Sequence, residues 1–174
     1  MSDLLSHQLK KLGPRRGMLR GTRATDWYER GCALEAQDPR SDEARFAYER
    51  AIAGRPDLAD AHNNLGRILH EQGDLAAAER HYRLAICVDP TIALYWFNLG
   101  VVVEDRGRRA EAITAYEAAL AADPMLADAH YNLARLCEVI GRRTGDELVL
   151  RRAVRHLRQY RQLAGHTSRD RRAT

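Results

Sequence analysis

Apolar residues recur along most of the chain at steps of three and four, the spacing of one face of an α-helix. These stripes come in pairs, separated by a short glycine-containing turn. First stripes of the pairs are His62, Leu65 and Leu69; Trp96, Leu99 and Val103; and His130, Leu133 and Cys137. Second stripes are Ala78, Tyr82 and Ala85, and Ala112, Tyr116 and Ala119. The pattern predicts pairs of amphipathic helices.

The helix pairs repeat with a period of 34 residues, from Gly66 to Gly100 and from Gly100 to Ala134. Tyrosine and proline positions follow the same step, at Tyr82 and Tyr116 and at Pro90 and Pro124. An earlier stretch, "DWYERGCALEAQDPRSDEARFAYERAIAGRP", fits the period with one extra residue near Arg40. We therefore divide the chain into unit 1 (25–56), unit 2 (57–90), unit 3 (91–124) and unit 4 (125–164).

This pattern resembles the tetratricopeptide repeat, a helix–turn–helix unit of 34 residues. The resemblance covers about residues 25–164. It implies an all-α, right-handed solenoid of about four repeats with an extended C-terminal cap helix, because one unit cannot bury its apolar stripe without a neighbour.

The helix boundaries follow from the turn residues. Gly73, Gly107 and Gly141 are expected to end the first helices. Unit 4 contains seven extra residues in "RRTGDELVLR", and we assign them to a last helix from about 146 to 164. Residues 1–24 are predicted to form a basic segment with a short amphipathic helix and a flexible linker, and residues 165–174 a disordered basic tail.

Asparagine recurs two residues before the small residue of the repeat, at Asn64, Asn98 and Asn132. The resemblance implies that the first helices line a concave groove, so these amides face a shared surface. "AHNNLG" and "FNLG" are also similar to the asparagine ladder of the O-linked N-acetylglucosamine transferases, which holds a peptide backbone. The alternative is structural, because buried amides need hydrogen-bond partners of their own. Further groove residues in this hypothesis are Asn63, Arg67, Phe97, Tyr131 and Arg135.

The flanking residues leave the ligand class open. Arg67 and Arg135 loosely resemble the basic residues that hold a C-terminal carboxylate in chaperone-binding tetratricopeptide domains. Glu104 and Glu138 would oppose such an acidic ligand, so we disfavour this clamp. Phe97 and Tyr131 fit an apolar ledge, or alternatively packing against the next repeat.

The charges are segregated along the sequence. The net charge of +4 divides into +5 over residues 1–23, −8 over residues 24–140 and +7 over residues 141–174. An acidic body with basic ends could associate with a second copy at low salt. Nucleic acid is a weaker alternative partner, because no aromatic residues are interleaved with the basic ones for base stacking.

No motif predicts chemistry. No catalytic constellation or cofactor motif is present, and Cys32, Cys87 and Cys137 lack the spacing of a disulfide framework or zinc site. His62 and His130 occupy the position of Trp27 and Trp96, so we interpret them as helix-packing residues. The absence of an 18-residue apolar run argues against a membrane span. Without a signal-peptide core the expected location is cytoplasmic, and the arginine-rich composition suggests a bacterial source.

These observations predict a non-catalytic scaffold or adaptor that binds an extended peptide segment in its concave groove. Two other functions remain open at this stage. One is a regulatory or nucleic-acid-associated subunit that uses the basic ends, and the other is a secretion-type chaperone.

Overall fold

A computed structural model describes residues 23–170, with side chains through residue 165. The predicted N-terminal segment (1–22) and residues 171–174 lie outside the described part. Eight helices follow one another: α1 (Ala24–Glu35), α2 (Asp42–Gly54), α3 (Ala59–Glu71), α4 (Leu75–Val88), α5 (Ala93–Asp105), α6 (Arg109–Ala122), α7 (Ala127–Thr144) and α8 (Glu147–Asp170). Residues 23–170 contain no strand, and the all-α class is confirmed.

Successive helices form four pairs, and each helix packs mainly against the next one in the chain. The pairs are α1–α2, α3–α4, α5–α6 and α7–α8, which lie within units 1 to 4. Few contacts join helices that are distant in sequence, so the molecule is built along one direction, as a solenoid requires.

Close approach of the two helices within a unit depends on a glycine and a tyrosine. Gly31, Gly66 and Gly100 each lie against the ring of a tyrosine in the second helix: Tyr48, Tyr82 and Tyr116. A Cβ atom added to Gly100 would lie 2.5 Å from Cε1 of Tyr116. The three tyrosines are at most 1% exposed. The small residues of the repeat therefore make room for the largest core side chains.

The turns use the residues expected from sequence at two of three positions. Gly73 and Gly107 have φ values of 87° and 78°, the left-handed conformation that glycine adopts without strain. The prediction that Gly141 ends its helix is wrong. Helix α7 continues through Gly141 to Thr144, and Gly145 takes the left-handed conformation with φ 70°. A Cβ atom on Gly141 would lie 2.8 Å from Cγ of Leu150 in α8, so this glycine serves helix packing.

The last helix is longer than the sequence indicated. Helix α8 begins at Glu147, and it extends to Asp170 rather than ending near residue 164. The first part of the tail that was predicted to be disordered, residues 165–170, is therefore helical. The inserted residues are shared between the extended end of α7, the turn at Gly145 and the first turns of α8.

Units 2 and 3 are joined by a buried carboxylate. Glu79 of α4 is 6% exposed and accepts a hydrogen bond of 2.7 Å from Nη1 of Arg108. It also pairs with Arg83 of its own helix and with Arg106. Burial alone would raise the pKa of Glu79, but the hydrogen bonds from Arg108 and Arg83 outweigh it and hold the pKa below its ordinary value.

Candidate groove on the first helices

A tyrosine, a glutamate, an asparagine and an arginine meet where unit 1 joins unit 2. The hydroxyl of Tyr48 donates to Oε2 of Glu35 at 2.7 Å, and Nδ2 of Asn64 donates to the Tyr48 oxygen at 3.2 Å. Nη2 of Arg67 lies 2.7 Å from Oε1 of Glu35, an ion-pair contact rather than a well-directed hydrogen bond. Burial, with hydrogen bonds to Cys32 and Glu35, raises the pKa of Tyr48.

The same four residue types meet where unit 3 joins unit 4. Tyr116 donates to Oε2 of Glu104 at 3.1 Å, and Nδ2 of Asn132 donates to the Tyr116 oxygen at 3.4 Å. Arg135 pairs with Glu104. The two copies of this network lie 68 residues apart in sequence when measured between the two tyrosines.

The junction between units 2 and 3 differs. The positions of the glutamate and the arginine are taken by His70 and Val101, so the ion pair is replaced on both sides. Nδ2 of Asn98 instead donates to Oδ1 of Asn63 at 2.8 Å, and Asn63 donates to Asn64 at 3.3 Å. The amides thus form a directed chain from Asn98 through Asn63 and Asn64 to Tyr48.

The three predicted asparagines are half-buried beside the core stripe, and they are not equivalent. Asn64 uses both its donor and its acceptor within the protein. Asn98 and Asn132 each donate one N–H, while among the described residues no group donates to their Oδ1 atoms. The structural role predicted as the alternative is therefore present, and two of the amides keep hydrogen-bonding capacity.

Aromatic side chains border this amide row. Phe97 is partly buried and packs against Tyr116, with ring centroids 5.8 Å apart. Tyr131 is 46% exposed and lies 5.2 Å from the ring of Tyr160. Both aromatics pack within their own unit, and Tyr131 in addition offers an open apolar surface.

The two groove arginines are already paired with buried or nearly buried carboxylates, Arg67 with Glu35 and Arg135 with Glu104. Their positive charge is compensated inside the protein. This arrangement does not favour the capture of a ligand carboxylate, in agreement with the interpretation from sequence.

Two pairs of histidines were missed by the sequence analysis. Nδ1 of His62 lies 3.0 Å from Nδ1 of His81, and Nδ1 of His130 lies 2.9 Å from Nδ1 of His156. The packing role predicted for His62 and His130 is confirmed, because they are 5% and 8% exposed. The signal was the 19-residue spacing of the first pair, which recurs in unit 4 once the seven extra residues are removed.

Protonation within these pairs follows from their other contacts. Nε2 of His62 lies 3.1 Å from the carbonyl oxygen of Pro56, and Nε2 of His130 lies 3.1 Å from that of Pro124. Because a carbonyl only accepts, Nε2 carries the proton and Nδ1 accepts one from the partner histidine. Burial first, and then the neighbouring histidine, lower the pKa values of His81 and His156 to about 4.

Other chemistry was sought in the same part of the chain. Residues 23–165 contain no group of three or more histidine, cysteine, aspartate or glutamate side chains arranged to hold a metal ion. None of the helices described between residues 23 and 170 has both the length and the apolar composition needed to cross a bilayer.

Fold and site together define a helical-repeat solenoid with a half-buried polar row on its first helices. Sequence profiles identify the class: one described as Tetratricopeptide repeat matches residues 28–93, and one described as TPR repeat matches residues 104–137. The chain belongs to the tetratricopeptide-repeat proteins, as its sequence predicted. The comparison with curated proteins gave no match.

Solved structures share this fold at low identity. A crystal structure of MamA has a TM-score of 0.75 and 17% identity, covering 94% of this chain and 86% of that chain. MamA from residue 41 to the end, from Desulfovibrio magneticus RS-1, has a TM-score of 0.71 and 17% identity, covering 94% and 93%. The first TPR of Spaghetti (RPAP3), bound to the HSP90 peptide SRMEEVD, has a TM-score of 0.65 and 20% identity, covering 68% and 94%.

Proposed function

We propose that this protein is a non-catalytic scaffold or adaptor that holds an extended peptide segment against its first helices. Tetratricopeptide solenoids serve as protein–protein interaction scaffolds, which supports the general role. The observation that carries the specific proposal is the spare hydrogen-bonding capacity of Asn98 and Asn132, one repeat apart on the same side of the solenoid.

An amide side chain suits recognition of a peptide backbone. It offers a carbonyl acceptor and two N–H donors, which match the N–H and C=O of one peptide unit whatever its side chain. Asn98 and Asn132 each keep the carbonyl oxygen and a second N–H for a ligand. Asn64 has a different role, because it is part of the hydrogen-bond chain that ends on Glu35. It anchors the junction of units 1 and 2.

Charge compensation favours a ligand read by its backbone and apolar side chains. The groove carboxylates face basic partners within the protein: Glu35 faces Arg67, and Glu104 faces Arg135. Asp105 lies 2.7 Å from Nε2 of His70. Phe97, Val101 and Tyr131 provide the apolar contacts between and beside the free amides. The peptide bound to the RPAP3 domain belongs to that protein, and here it supports only the general idea that such a fold holds a peptide.

The proposal is tested by selecting peptides from a random display library on the immobilised full-length chain. The selected peptide is then synthesised with single N-methyl groups along its backbone and, separately, with single alanine substitutions. We expect N-methylation at one or two backbone positions to weaken binding at least tenfold, because the methyl group removes an N–H donor. A scan in which N-methylation has no effect at any position, while side-chain changes abolish binding, contradicts backbone recognition.

The compartment remains part of the proposal. We propose a cytoplasmic location for the scaffold, as the sequence analysis suggested. Fractionation of cells that express the full-length chain would test it, and recovery with membranes or in the medium would contradict it.

A further inference from the structure

The C-terminal end of the solenoid contains an open groove between α7 and α8, here called the terminal cradle. It is lined by Tyr131, Ala134, Glu138, Leu150, Val154 and Leu157, and its volume is about 420 Å³. The floor is apolar, and Val154 is 51% exposed. A large apolar groove with exposed aliphatic side chains calls for an occupant.

The molecule itself shows what fills such a groove. At the three internal junctions, the first helix of the next unit packs against the preceding helix pair. Each incoming helix buries a stripe with spacing i, i+4 and i+7, at most 5% exposed. The stripes are Ala61, Leu65 and Ile68; Tyr95, Leu99 and Val102; and Ala129, Leu133 and Leu136. An amphipathic helix is therefore the shape that fits the terminal cradle.

A second copy of the chain does not offer this stripe. The first helix of a following copy would be α1, in which the corresponding positions are Asp26, Arg30 and Ala33, all exposed. These residues make the N-terminal end of the solenoid polar, as a cap requires. Arg30 would also meet the basic residues of α8. The two ends of the solenoid are thus not complementary.

The charges inside the cradle specify the occupant further. Glu35 and Glu104 each pair with an arginine of the next unit, Arg67 or Arg135, which follows the stripe leucine by two residues. Where the glutamate is replaced by His70, the arginine is replaced as well, by Val101. Glu138 occupies the same position in unit 4, and it pairs with Arg142 of its own helix at 2.6 Å. The pattern calls for a basic residue on the incoming helix.

The outer side of the cradle has the opposite charge. Arg155 and Arg158 flank Val154 on the outer face of α8 and are exposed. Neither forms an ion pair with another residue between 23 and 165. Carboxylates on the outer flank of the incoming helix would meet these two guanidinium groups.

We propose that the terminal cradle binds an amphipathic helix of a partner protein. This helix carries an aliphatic i, i+4, i+7 stripe, a lysine or arginine two residues after the central stripe residue, and acidic residues on its outer flank. It extends the solenoid by one helix. The site is separate from the amide row, and the proposal does not depend on peptide binding there.

The test uses a helical probe taken from the molecule's own internal junction. A fluorescent peptide of residues 58–72 carries the stripe Ala61, Leu65 and Ile68 together with Arg67. A hydrocarbon staple joins positions 63 and 70, whose side chains face the following unit in the structure, at Asn98 and Asp105. Fluorescence anisotropy then measures binding of this probe to the full-length protein.

We expect saturable binding in the micromolar range and at least tenfold weaker binding to the Val154→Glu variant. The matched control is Leu84→Glu, because Leu84 is 46% exposed on α4, outside the cradle. This control should bind the probe like the wild type. Glu138→Arg should weaken binding of the original probe and restore binding of a probe with Arg67→Glu, which a nonspecific apolar contact would not do.

Four results would overturn the proposal. The first is an absence of saturable binding up to millimolar protein, and the second is equal affinity of the wild type and Val154→Glu. The third is binding of an α1 peptide (24–36) as tight as that of the probe, or a dimer in sedimentation that Val154→Glu abolishes, since either identifies a second copy as the occupant. The fourth is Val154-dependent displacement of the probe by a peptide of residues 1–22, which identifies the chain's own N-terminal segment.

Discussion

At the scale of single residues, the fold depends on pairs that the sequence shows only as periodic positions. The period placed Gly100 and Tyr116 sixteen residues apart, but it did not show that they touch. In the structure the glycine is the space in which the tyrosine ring lies. Unit 4 solves the same problem with Ala134 and Leu157, a larger residue facing a smaller one. Small and large positions therefore compensate each other between facing helices.

This compensation predicts the effect of Gly100→Ala. The added Cβ atom would lie 2.5 Å from the Tyr116 ring, so we expect the free energy of unfolding to fall by about 1–3 kcal/mol. Tyr116→Leu, which copies the unit 4 pair, should be less harmful in the Gly100→Ala background than in the wild type. Urea unfolding of the four proteins gives the coupling. Additive effects would mean that the two residues do not limit each other's packing.

The histidine pairs predict a stability that depends on pH. His81 and His156 have pKa values of about 4 in the folded protein, below the ordinary value of 6.5. The unfolded chain therefore binds protons at a higher pH, and stability is lost progressively as the pH falls from about 6.5 towards 4. Between pH 7 and pH 5 we expect roughly 1 kcal/mol to be lost for each pair.

Unit 3 supplies the control for this prediction. Trp96 and Ala115 occupy the positions of His62 and His81, and Nε1 of Trp96 donates to the Pro90 carbonyl at 2.8 Å as a histidine does in unit 2. The variant His62→Trp/His81→Ala, combined with His130→Trp/His156→Ala, should remove most of the difference between unfolding at pH 7 and at pH 5. An undiminished difference would place the acid-sensitive groups elsewhere.

At the scale of elements, the hairpin of α7 and α8 was predicted in outline and misplaced in detail. The period located seven extra residues in unit 4. It could not divide them between two helices, because Gly141 resembles the helix-ending Gly73 and Gly107 in position. Packing decides the matter, since Leu150 of α8 covers Gly141. The turn had its own signal at Gly145 and Asp146, whose side chain accepts hydrogen bonds from the backbone N–H groups of Leu148 and Val149.

The new turn predicts opposite effects for two glycines. Gly145 has φ 70°, so Gly145→Ala should lower the free energy of unfolding by about 1 kcal/mol. Gly165 is within α8 with no atom near its added Cβ, so Gly165→Ala should be neutral or stabilising. Thermal unfolding of both variants checks the boundary. A stabilising Gly145→Ala would show that the turn lies elsewhere, for instance at Gly141.

At the scale of the whole molecule, the sequence predicted the solenoid and the asparagine row because both follow the period. It could not predict which amides are free. That depends on the junctions, where the Glu–Arg pair is present, absent and present again along the solenoid. At the altered junction Asn98 turns to Asn63, and the resulting chain of amides occupies Asn64. The open cradle depends likewise on the contrast between two ends that the period treats as equal.

The central claim is that Asn98 and Asn132 bind the backbone of a peptide ligand. The most direct measurement is the affinity of a display-selected peptide for the full-length wild type and for Asn98→Ala/Asn132→Ala, with unfolding free energies measured alongside. Asn64 is left intact because it supports Tyr48. The account predicts affinity lower by about thirty-fold, equivalent to roughly 2 kcal/mol of lost hydrogen bonding, with nearly unchanged stability. Equal affinities, or a double variant that no longer folds, would contradict it.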